Sequence, residues 1–476
     1  MPAPPLFRKS GPLRIPDTAH RAIALDQLEA MFAYIQQDIF EAGNVWVRSA
    51  ATVANLTTAS TSCNETSDSN HSVTSSTSIS SIEDVTLYDL NEHFILPQTR
   101  AHKCSLVELL VHDNDEEANK ELPPDYFVSH WWGEPVVQFL DCLKQHAHDR
   151  QLAREPHEIE SYVKGQSLGR SPRYWICAYA NNQHDLNSEL HTNGGRCCCH
   201  GNPDKEDVHS LSVENTSFVR AMRKSRGTVL VVDQHATCFQ RLWCVYEIYS
   251  SLLGHNRHPK RKGNGKTGTN GDYNDEDSKE DSKDEHKRDD TPPPWYLFGK
   301  REQYTFDIYT AFPHKNRHLQ DLMMDRKNQK RQVVGITDGV AAVDSNAEMK
   351  WYRESYFPVD RLELGITFDC QTARASFALD EKRIKHSIGG HDKQTILNHC
   401  VHGFMAASAL RRALEESSNG NHHDDDVVAG PTMADQFLEA VRHGQLRQLS
   451  LFMGGSPADT NENMTRVIQA LDPGAC

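Results

Sequence analysis

The sequence has no stretch of about 18 consecutive apolar residues, which is the length that a membrane-spanning helix needs. Its first residues, MPAPPLFRKSGPLRIPD, lack the apolar centre of a secretory signal peptide. Basic residues are outnumbered, with 51 lysines and arginines against 66 aspartates and glutamates, so the basic patch of a nucleic-acid-binding protein is not expected. We therefore expect a cytoplasmic protein that binds neither a membrane nor nucleic acid.

The glycine motifs that bind phosphates are also missing from the segments predicted to fold. GxGxxG and GxxxxGK[ST] do not occur there, and the glycine-rich KGNGKTGTNG at 262–271 follows no predicted strand. A Rossmann dinucleotide site and a P-loop are therefore not predicted. The adjacent cysteines of RCCCH at 196–200 cannot readily close one tetrahedral site, so no metal site is predicted either.

Several of the 12 cysteines lie inside strand-like or helical runs: Cys142, Cys177, Cys244 and Cys400. A reduced cysteine in such a run behaves as a small hydrophobic residue. We therefore predict free thiols rather than a disulfide framework.

Three segments, YFVSHWWGEP from Tyr126, YWICAYANNQ from Tyr174 and TVLVVDQHATCFQRLWCVYE from Thr228, share one pattern. Each begins with a short apolar run that predicts a buried strand, continues into a polar cluster and is followed by an amphipathic stretch that predicts a helix. Repeated β-α units of this kind form open sheets, whose ligands bind outside the carboxyl ends of the strands. A ligand site is expected where the three polar clusters meet.

The predicted strands cover residues 126–130, 174–180, 228–233, 303–312 and 363–369. The predicted helices of the same region cover residues 136–147, 216–225, 239–253, 372–386 and 394–416. Together they predict an α/β fold, with a mostly parallel open sheet flanked by helices.

Composition divides the rest of the chain. Residues 1–56 are predicted to be an N-terminal helical segment, and the Ser/Thr-rich stretch 57–83 a disordered linker. The α/β domain is expected at 84–416, interrupted by a disordered, highly charged insertion at 255–294. Residues 431–476 resemble a single ankyrin-type helical unit, which cannot bury its own apolar face alone.

The segment 122–253 resembles a Toll/interleukin-1 receptor (TIR) domain. Ser129 and His130 of FVSHWW match the end of the family's opening strand, and Trp243, Cys244 and Glu247 match its WCxxE motif. The family's second motif is replaced here by NNQHDLNSEL. The SHWWGE, CAYANNQ and LWCVYE pattern is also similar to that of a group of large proteins of unicellular eukaryotes for which no activity is assigned.

The resemblance implies a TIR/flavodoxin-like fold and a role in intracellular signalling or stress response. TIR domains are either enzymes that cleave NAD to nicotinamide and ADP-ribose, or modules that bind one another without catalysis. In the enzymes the glutamate at the position of Glu247 is catalytic, with NAD as substrate and no further cofactor. The second class implies self-association or a protein partner.

Physical chemistry gives roles to the residues around such a site. A carboxylate at Glu247 could stabilise the positive charge of an oxocarbenium-like transition state. The tryptophans could stack on a nucleotide base, and the amides could orient it. The predicted ligand-binding residues are Ser129, His130, Trp131, Trp132, Asn181, Asn182, Gln183, Asp233 and Trp243.

Other functions stay open on the residues alone. A hydrolase or transferase of another kind could use the same crevice, for example with Cys177 and a histidine. Alternatively, Glu247 forms a cap or a salt bridge, and Trp243 belongs to the core. The distinguishing feature is whether Glu247 faces an open cleft shared with Trp132 and Asn182, or is buried in an ion pair. An exposed Glu247 further predicts that Glu247→Gln hardly changes stability.

Overall fold

The structure, a computed structural model, describes residues 7–8, 11–60, 78–110, 123–150, 152, 171–186, 213–254, 304–313, 331–337, 353–354, 356–376 and 378–418. The predicted insertion at 255–294, the tail at 431–476 and the RCCCH segment lie outside these residues. Residues 61–77 of the predicted linker also lie outside them, whereas the last residues of that linker include a short strand, Ser78–Ile79.

The strands of the described ranges are β1 (Ile23–Ala24), β2 (Trp46–Val47), β3 (Ser78–Ile79), β4 (Tyr126–Ser129), β5 (Arg173–Trp175), β6 (Gly227–Val231), β7 (Thr305–Pro313) and β8 (Arg331–Ile336). One sheet has the spatial order β1-β5-β4-β6-β7-β8, and β2 pairs separately with β3. The inner strands β5, β4, β6 and β7 are parallel, and β1 and β8 are antiparallel edges. The prediction of a mostly parallel sheet is confirmed.

The helices of the described ranges are α1 (Leu25–Tyr34), α2 (Ala50–Ser60), α3 (Leu87–Leu90), α4 (Leu96–Thr99), α5 (Leu106–Leu109), α6 (Val136–Asp149), α7 (Cys177–Ala180), α8 (Ser217–Lys224), α9 (Leu242–Tyr249), α10 (Val359–Ile366), α11 (Ala378–Ile388) and α12 (His391–Ser418). Short π-helical stretches extend α1 to Phe40 and α9 to Gly254. None of the helices in this part of the chain is long and apolar enough to cross a membrane.

Successive side chains of the sheet enter different clusters on its two faces, as the pleat requires. Tyr126 and Val128 of β4 pack with residues of α1 and α6, among them Phe139. Phe127 lies between them and packs on the other face with Met222 of α8. Helices α9 to α12 cover that second face over β6, β7 and β8. Helices therefore flank the sheet on both sides, as predicted.

The N-terminal segment belongs to the same packed unit as the sheet. Ile23 of β1 is opposite Tyr174 of β5, and the backbone N–H of Leu25 donates to the carbonyl of Pro172 over 3.0 Å. Leu28 of α1 is fully buried in the cluster that also contains the first face of β4. The predicted helical segment 1–56 therefore contains helices, but it also contributes a strand to the sheet.

The predicted strand at 363–369 is wrong, because α10 occupies Val359–Ile366. The apolar residues at 364, 366 and 368 alternate as in a strand. The buried residues of α10 are instead spaced as in a helix: Arg361 and Leu362 lie four and three residues before Gly365. Pro358 stands at the N-cap of this helix, a position that suits its fixed φ angle.

The second predicted strand is too long, and four of the described strands were not predicted. β5 ends at Trp175, and Cys177–Ala180 form the helical turn α7. Three of the unpredicted strands, β1, β2 and β3, have two residues each; the fourth is β8, Arg331–Ile336, which pairs antiparallel with β7. It follows residues with no turn signal that marks its start, so the sequence pattern did not separate it from its surroundings.

The close contact between β6 and β7 leads to a stability prediction. Gly227 lies opposite Thr305, and a Cβ atom at Gly227 would come within 2.5 Å of the Thr305 carbonyl oxygen. Because that oxygen belongs to the backbone of the next strand, the sheet itself would have to move. We expect Gly227→Ala to lower the free energy of unfolding by about 1–3 kcal/mol in urea titrations. An unchanged midpoint would contradict this close approach.

Candidate functional site

The candidate site lies where the chain changes direction within the sheet. Among the described parallel strands, β4 comes first in the chain, β5 second and β6 third. In the sheet, β4 lies between β5 and β6. In open α/β sheets, ligands bind outside the carboxyl ends of the strands at such a switch point. Ser129 ends β4, and Val231 ends β6 beside it.

Glu247 reaches this point from α9, the helix that follows β6. The Ser129 hydroxyl donates a hydrogen bond of 2.5 Å to its Oε2 atom. Glu247 is 5% exposed, and none of the described lysines, arginines and histidines forms an ion pair with it. Among the residues that the structure describes, the carboxyl is therefore buried without an opposite charge. The sequence left two alternatives for Glu247, an open cleft or a buried ion pair, and the observed arrangement is neither.

Burial controls the chemistry of this carboxyl. It raises the pKa of Glu247 from 4.5 to about 8, although the hydrogen bond from Ser129 favours the ionised form. At neutral pH the larger fraction of Glu247 is therefore protonated and uncharged. A positive charge placed next to it would favour the carboxylate.

The raised pKa predicts that Glu247 affects stability in a pH-dependent way. Below pH 4.5 the carboxyl is protonated in the folded and the unfolded chain alike, so its pKa shift costs nothing there. From that value up to about pH 8, the unfolded chain releases a proton that the folded chain retains, so stability falls by about 1.4 kcal/mol per pH unit. We expect Glu247→Gln, which carries no such proton, to gain stability over wild type across this range.

Urea unfolding of both proteins at about pH 5 and about pH 8 measures this difference. A gap between wild type and Glu247→Gln that does not change with pH would contradict the raised pKa. Nearly unchanged stability of Glu247→Gln is expected only if the carboxylate is exposed. Because Glu247 is buried, that expectation does not apply.

Trp132, three residues after Ser129, is half-buried and is connected to Glu247 only through Cys177. Its indole N–H donates to the Cys177 sulfur over 3.1 Å, and its ring centre is 5.6 Å from that of Tyr88. Burial raises the pKa of the Cys177 thiol to about 12, and the charge of Glu247 adds to the shift. Cys177 is therefore a protonated thiol at neutral pH, which does not suit a nucleophile.

The other two predicted tryptophans pack against side chains of the protein, Trp131 buried and Trp243 half-buried. Trp131 is buried, and its ring covers Gly133 so closely that a Cβ atom there would lie 2.2 Å from it. Trp243 stacks on Phe218 of α8, with ring centres 5.3 Å apart and planes at 23°. Both side chains hold helices and loops in place at the strand ends.

The three predicted amides bond to the protein itself. The Ser217 hydroxyl donates to Asn181 Oδ1 over 3.0 Å, and Asn182 Nδ2 donates to the Lys103 carbonyl over 2.8 Å. Gln183 Nε2 donates to the Ala178 carbonyl over 3.0 Å, at the end of α7. These bonds fix the loop after α7. The interpretation of these amides as ligand-orienting groups therefore has no support in the contacts that they make.

His130 and Asp233 are likewise part of the protein's internal structure. The His130 ring lies 4.6 Å from that of Phe139, and burial lowers its pKa to about 4, so it is uncharged at neutral pH. Asp233 accepts hydrogen bonds from the backbone N–H of Thr237, the Thr237 hydroxyl and the N–H of His235, at 2.7, 2.8 and 3.0 Å. It closes the turn that leads into α9.

Of the predicted residues, the structure joins Ser129 and Glu247 directly, and it links Trp132 to Glu247 only through Cys177. It adds a chain of buried hydroxyls that sequence reasoning missed: Ser251 lies 2.8 Å from Thr228, whose Oγ1 is 2.6 Å from Tyr304. Ser251 also donates to the Glu247 carbonyl over 2.7 Å. The sequence signal that could have indicated this contact is the four-residue spacing of Glu247 and Ser251, which places them one helical turn apart.

The seven cysteines within the described ranges are free thiols, as predicted: Cys104, Cys142, Cys177, Cys238, Cys244, Cys370 and Cys400. No group of three or more histidine, cysteine, aspartate or glutamate side chains in those ranges could hold a metal ion. Comparison of the chain with protein-family models, curated proteins and solved structures finds no match. The fold and the site therefore define the class: an α/β protein with a buried acid at the switch point of its sheet.

Proposed function

We propose that this chain hydrolyses NAD at the bond between nicotinamide and ribose, through a TIR-like core that serves intracellular signalling or a stress response. One observation carries the proposal. The carboxyl of Glu247, on the helix after the third parallel strand, is held by Ser129 at the end of the first. This is the position at which an open α/β sheet binds its ligand.

The chemistry follows from the charge of the substrate. The nicotinamide ring of NAD is positively charged, and it leaves as neutral nicotinamide when its bond to ribose C1′ breaks. The positive charge then lies on the ribose, until a water oxygen bonds to C1′ and releases a proton, which gives ADP-ribose. A carboxylate next to C1′ stabilises this charge, and burial strengthens the interaction because little water screens it.

The raised pKa of Glu247 fits this role. Burial keeps the carboxyl largely protonated in the free protein, and the positive ring of bound NAD would lower its pKa. The Ser129 hydroxyl bonds to Oε2, which leaves Oε1 for the substrate. The half-buried Trp132, in the loop that follows β4, offers an aromatic ring on which a base can stack.

A pH profile of NAD cleavage tests this proposal. The value of kcat/KM reports ionisations of the free enzyme. Because the reaction needs the ionised form of a group with a pKa of about 8, we expect kcat/KM to rise about tenfold per pH unit up to that pH and then level off. Nicotinamide release, corrected for spontaneous breakdown in buffer, is the measurement. A flat profile between about pH 6 and pH 8 would contradict the role of Glu247.

The low exposure of Glu247 favours one competing function, a protein–protein interaction module without catalysis. In that case the Ser129–Glu247 hydrogen bond only joins α9 to the sheet. The two functions differ in one result: the module releases no nicotinamide at any pH, but still shows the pH-dependent stability difference between wild type and Glu247→Gln.

A further inference from the structure

A basic turn lies beside the loop that follows α7. Its exposed side chains are Arg100, His102 and Lys103, directly after α4, and His184 of the loop contacts Lys103. None of the described aspartates and glutamates forms an ion pair with Arg100 or Lys103. The whole chain has a net charge of −15, so unpaired positive charges on one turn are an exception in this protein. Such a surface attracts anions.

Backbone hydrogen bonds close the basic turn and fix its position. The N–H groups of His102 and Lys103 both donate to the Thr99 carbonyl, over 3.2 and 2.8 Å. Lys103 has a φ angle of 50°, in the left-handed region that residues other than glycine rarely adopt. Its carbonyl accepts a hydrogen bond of 2.8 Å from Asn182 Nδ2, which joins the turn to the loop after α7. The closed turn therefore carries Arg100 and Lys103 close to each other.

The His184 ring orients the ammonium group of Lys103. The Thr99 hydroxyl donates to the Ile95 carbonyl over 2.7 Å, so it accepts the hydrogen bond of 2.8 Å from His184 Nε2. The other ring nitrogen, Nδ1, then carries no proton, and Lys103 Nζ donates to it over 3.5 Å. Burial and the charges of Lys103 and Arg100 lower the pKa of His184, which favours this neutral ring. Two N–H groups of Lys103 remain for a ligand.

The charges of the basic turn select the class of ligand. Lysine and arginine side chains are cations at neutral pH, so the turn presents two positive charges without counting its histidine. Two cations on one turn repel each other, and a group with two negative charges balances both. A phosphate monoester or a diphosphate carries roughly two negative charges, whereas a carboxylate carries one. The planar guanidinium matches two phosphate oxygens, and an ammonium group binds a further one.

We propose that Arg100 and Lys103 form a site for the phosphate groups of a small ligand, either a nucleoside diphosphate or free pyrophosphate. The turn is attached to the loop at 181–186, which follows β5 and α7. It therefore lies beyond the carboxyl end of β5, on the side of the sheet where open α/β proteins bind their ligands. This site does not depend on NAD cleavage at Glu247.

Calorimetric titration of the full chain with ADP, adenosine and inorganic pyrophosphate tests the proposal. ADP and adenosine differ only in the diphosphate. We expect ADP, pyrophosphate or both to bind at least about tenfold more tightly than adenosine, which is the effect of one charge-assisted hydrogen bond or more. Because salt screens exposed charges, this binding should weaken as the salt concentration rises. Binding of ADP without pyrophosphate assigns the site to a nucleotide, and equal affinity for both assigns it to the phosphates alone.

Variants locate the binding on the basic turn. Lys103→Met and Arg100→Met each remove one charge and keep an unbranched apolar side chain. Each should weaken the binding about 10- to 100-fold. The urea midpoint should change little, because both side chains are exposed. Arg226→Met is the control, since Arg226 is also exposed but precedes β6 at the amino end of that strand, on the opposite edge of the sheet. It should bind as wild type does.

Two results would overturn this proposal. One is that neither ADP nor pyrophosphate binds more tightly than adenosine. The other is that Lys103→Met and Arg100→Met bind them as tightly as Arg226→Met does. Glu247→Gln should bind both probes as wild type does, because neither contains the nicotinamide ribose. A protein that binds ADP at the basic turn but releases no nicotinamide from NAD would retain this site and contradict the proposed reaction, so the two proposals fail separately.

Discussion

Replacing Glu247 by glutamine is expected to lower the kcat of NAD cleavage by about a hundredfold to a thousandfold. Glutamine keeps the size of the side chain, and its carbonyl oxygen can still accept the hydrogen bond from Ser129. It cannot become negatively charged, so it cannot stabilise the positive ribose. Steady-state rates at about pH 8, where the wild-type carboxyl is substantially ionised, give the largest contrast.

Glu108→Gln provides a control for this experiment with a buried carboxylate away from the site, which differs from Glu247 in that it also lies 3.7 Å from Arg21. Glu108 is as buried as Glu247, and its Oε2 accepts hydrogen bonds of 2.9 Å from the backbone and the hydroxyl of Ser105. It lies in α5, away from the carboxyl ends of β4 and β6. We expect Glu108→Gln to retain the wild-type kcat. Equal losses of activity in both variants would point to general destabilisation instead of catalysis by Glu247.

Replacing Asp307 by asparagine is expected to lower the free energy of unfolding by about 3–5 kcal/mol, because it removes the charge of a buried carboxylate that pairs with the largely buried Arg150. Asp307 of β7 is fully buried, and its carboxylate oxygens lie 2.8 and 2.5 Å from two nitrogens of Arg150. The His146 Nε2 atom is 3.3 Å away. Urea unfolding at neutral pH measures the loss.

The sign of the pH dependence follows from this ion pair. Burial alone would raise the pKa of Asp307, but Arg150 and His146 hold it below its ordinary range. The stability that the ion pair contributes is therefore present above the unfolded pKa and lost as pH falls through the folded one. The difference between wild type and Asp307→Asn should accordingly be constant at neutral pH and shrink only in acid.

An exposed ion pair on α6, the helix that also carries His146, is the control for Asp307. Lys144 of α6 lies 2.8 Å from Glu29, and their side chains are 40% and 42% exposed. Exposed pairs contribute little, because water and salt screen them. We expect Lys144→Ala to cost less than about 1 kcal/mol. Similar costs for Lys144→Ala and Asp307→Asn would contradict the structural role of the buried pair.

The sequence predicted the inner sheet well because its signals are local. Apolar runs identify β4, β6 and β7, since a strand covered on both faces must be apolar along its length. The edge strands were harder. β1 has two residues and lies within the segment 1–56 that was predicted to be helical. β8 follows residues that show no turn signal. The alternating apolar residues at 364, 366 and 368 led to the incorrect prediction of a strand. The residues that this segment buries are spaced as in a helix, and it forms α10.

The candidate site was predicted only in part, because burial and partners are tertiary properties. The sequence analysis assigned Glu247 and Ser129 to one site, and in the structure the Ser129 hydroxyl donates to Glu247. Nothing in the local sequence indicated that Asn182 would bond to Lys103, or that Trp243 would stack on Phe218. Polar residues after a strand can bind a ligand or close their own loop, and Asp233 does the second.

The release of nicotinamide from NAD by purified wild-type protein is the most direct test of the central claim, which is catalysis by Glu247. Chromatography of the reaction at about pH 8 should show nicotinamide and ADP-ribose in equal amounts, formed at a rate proportional to protein concentration. The same assay with Glu247→Gln should show about a hundredth of that rate or less. If concentrated wild-type protein forms no nicotinamide above the buffer control, the claim is contradicted, and the Ser129–Glu247 pair is a structural contact.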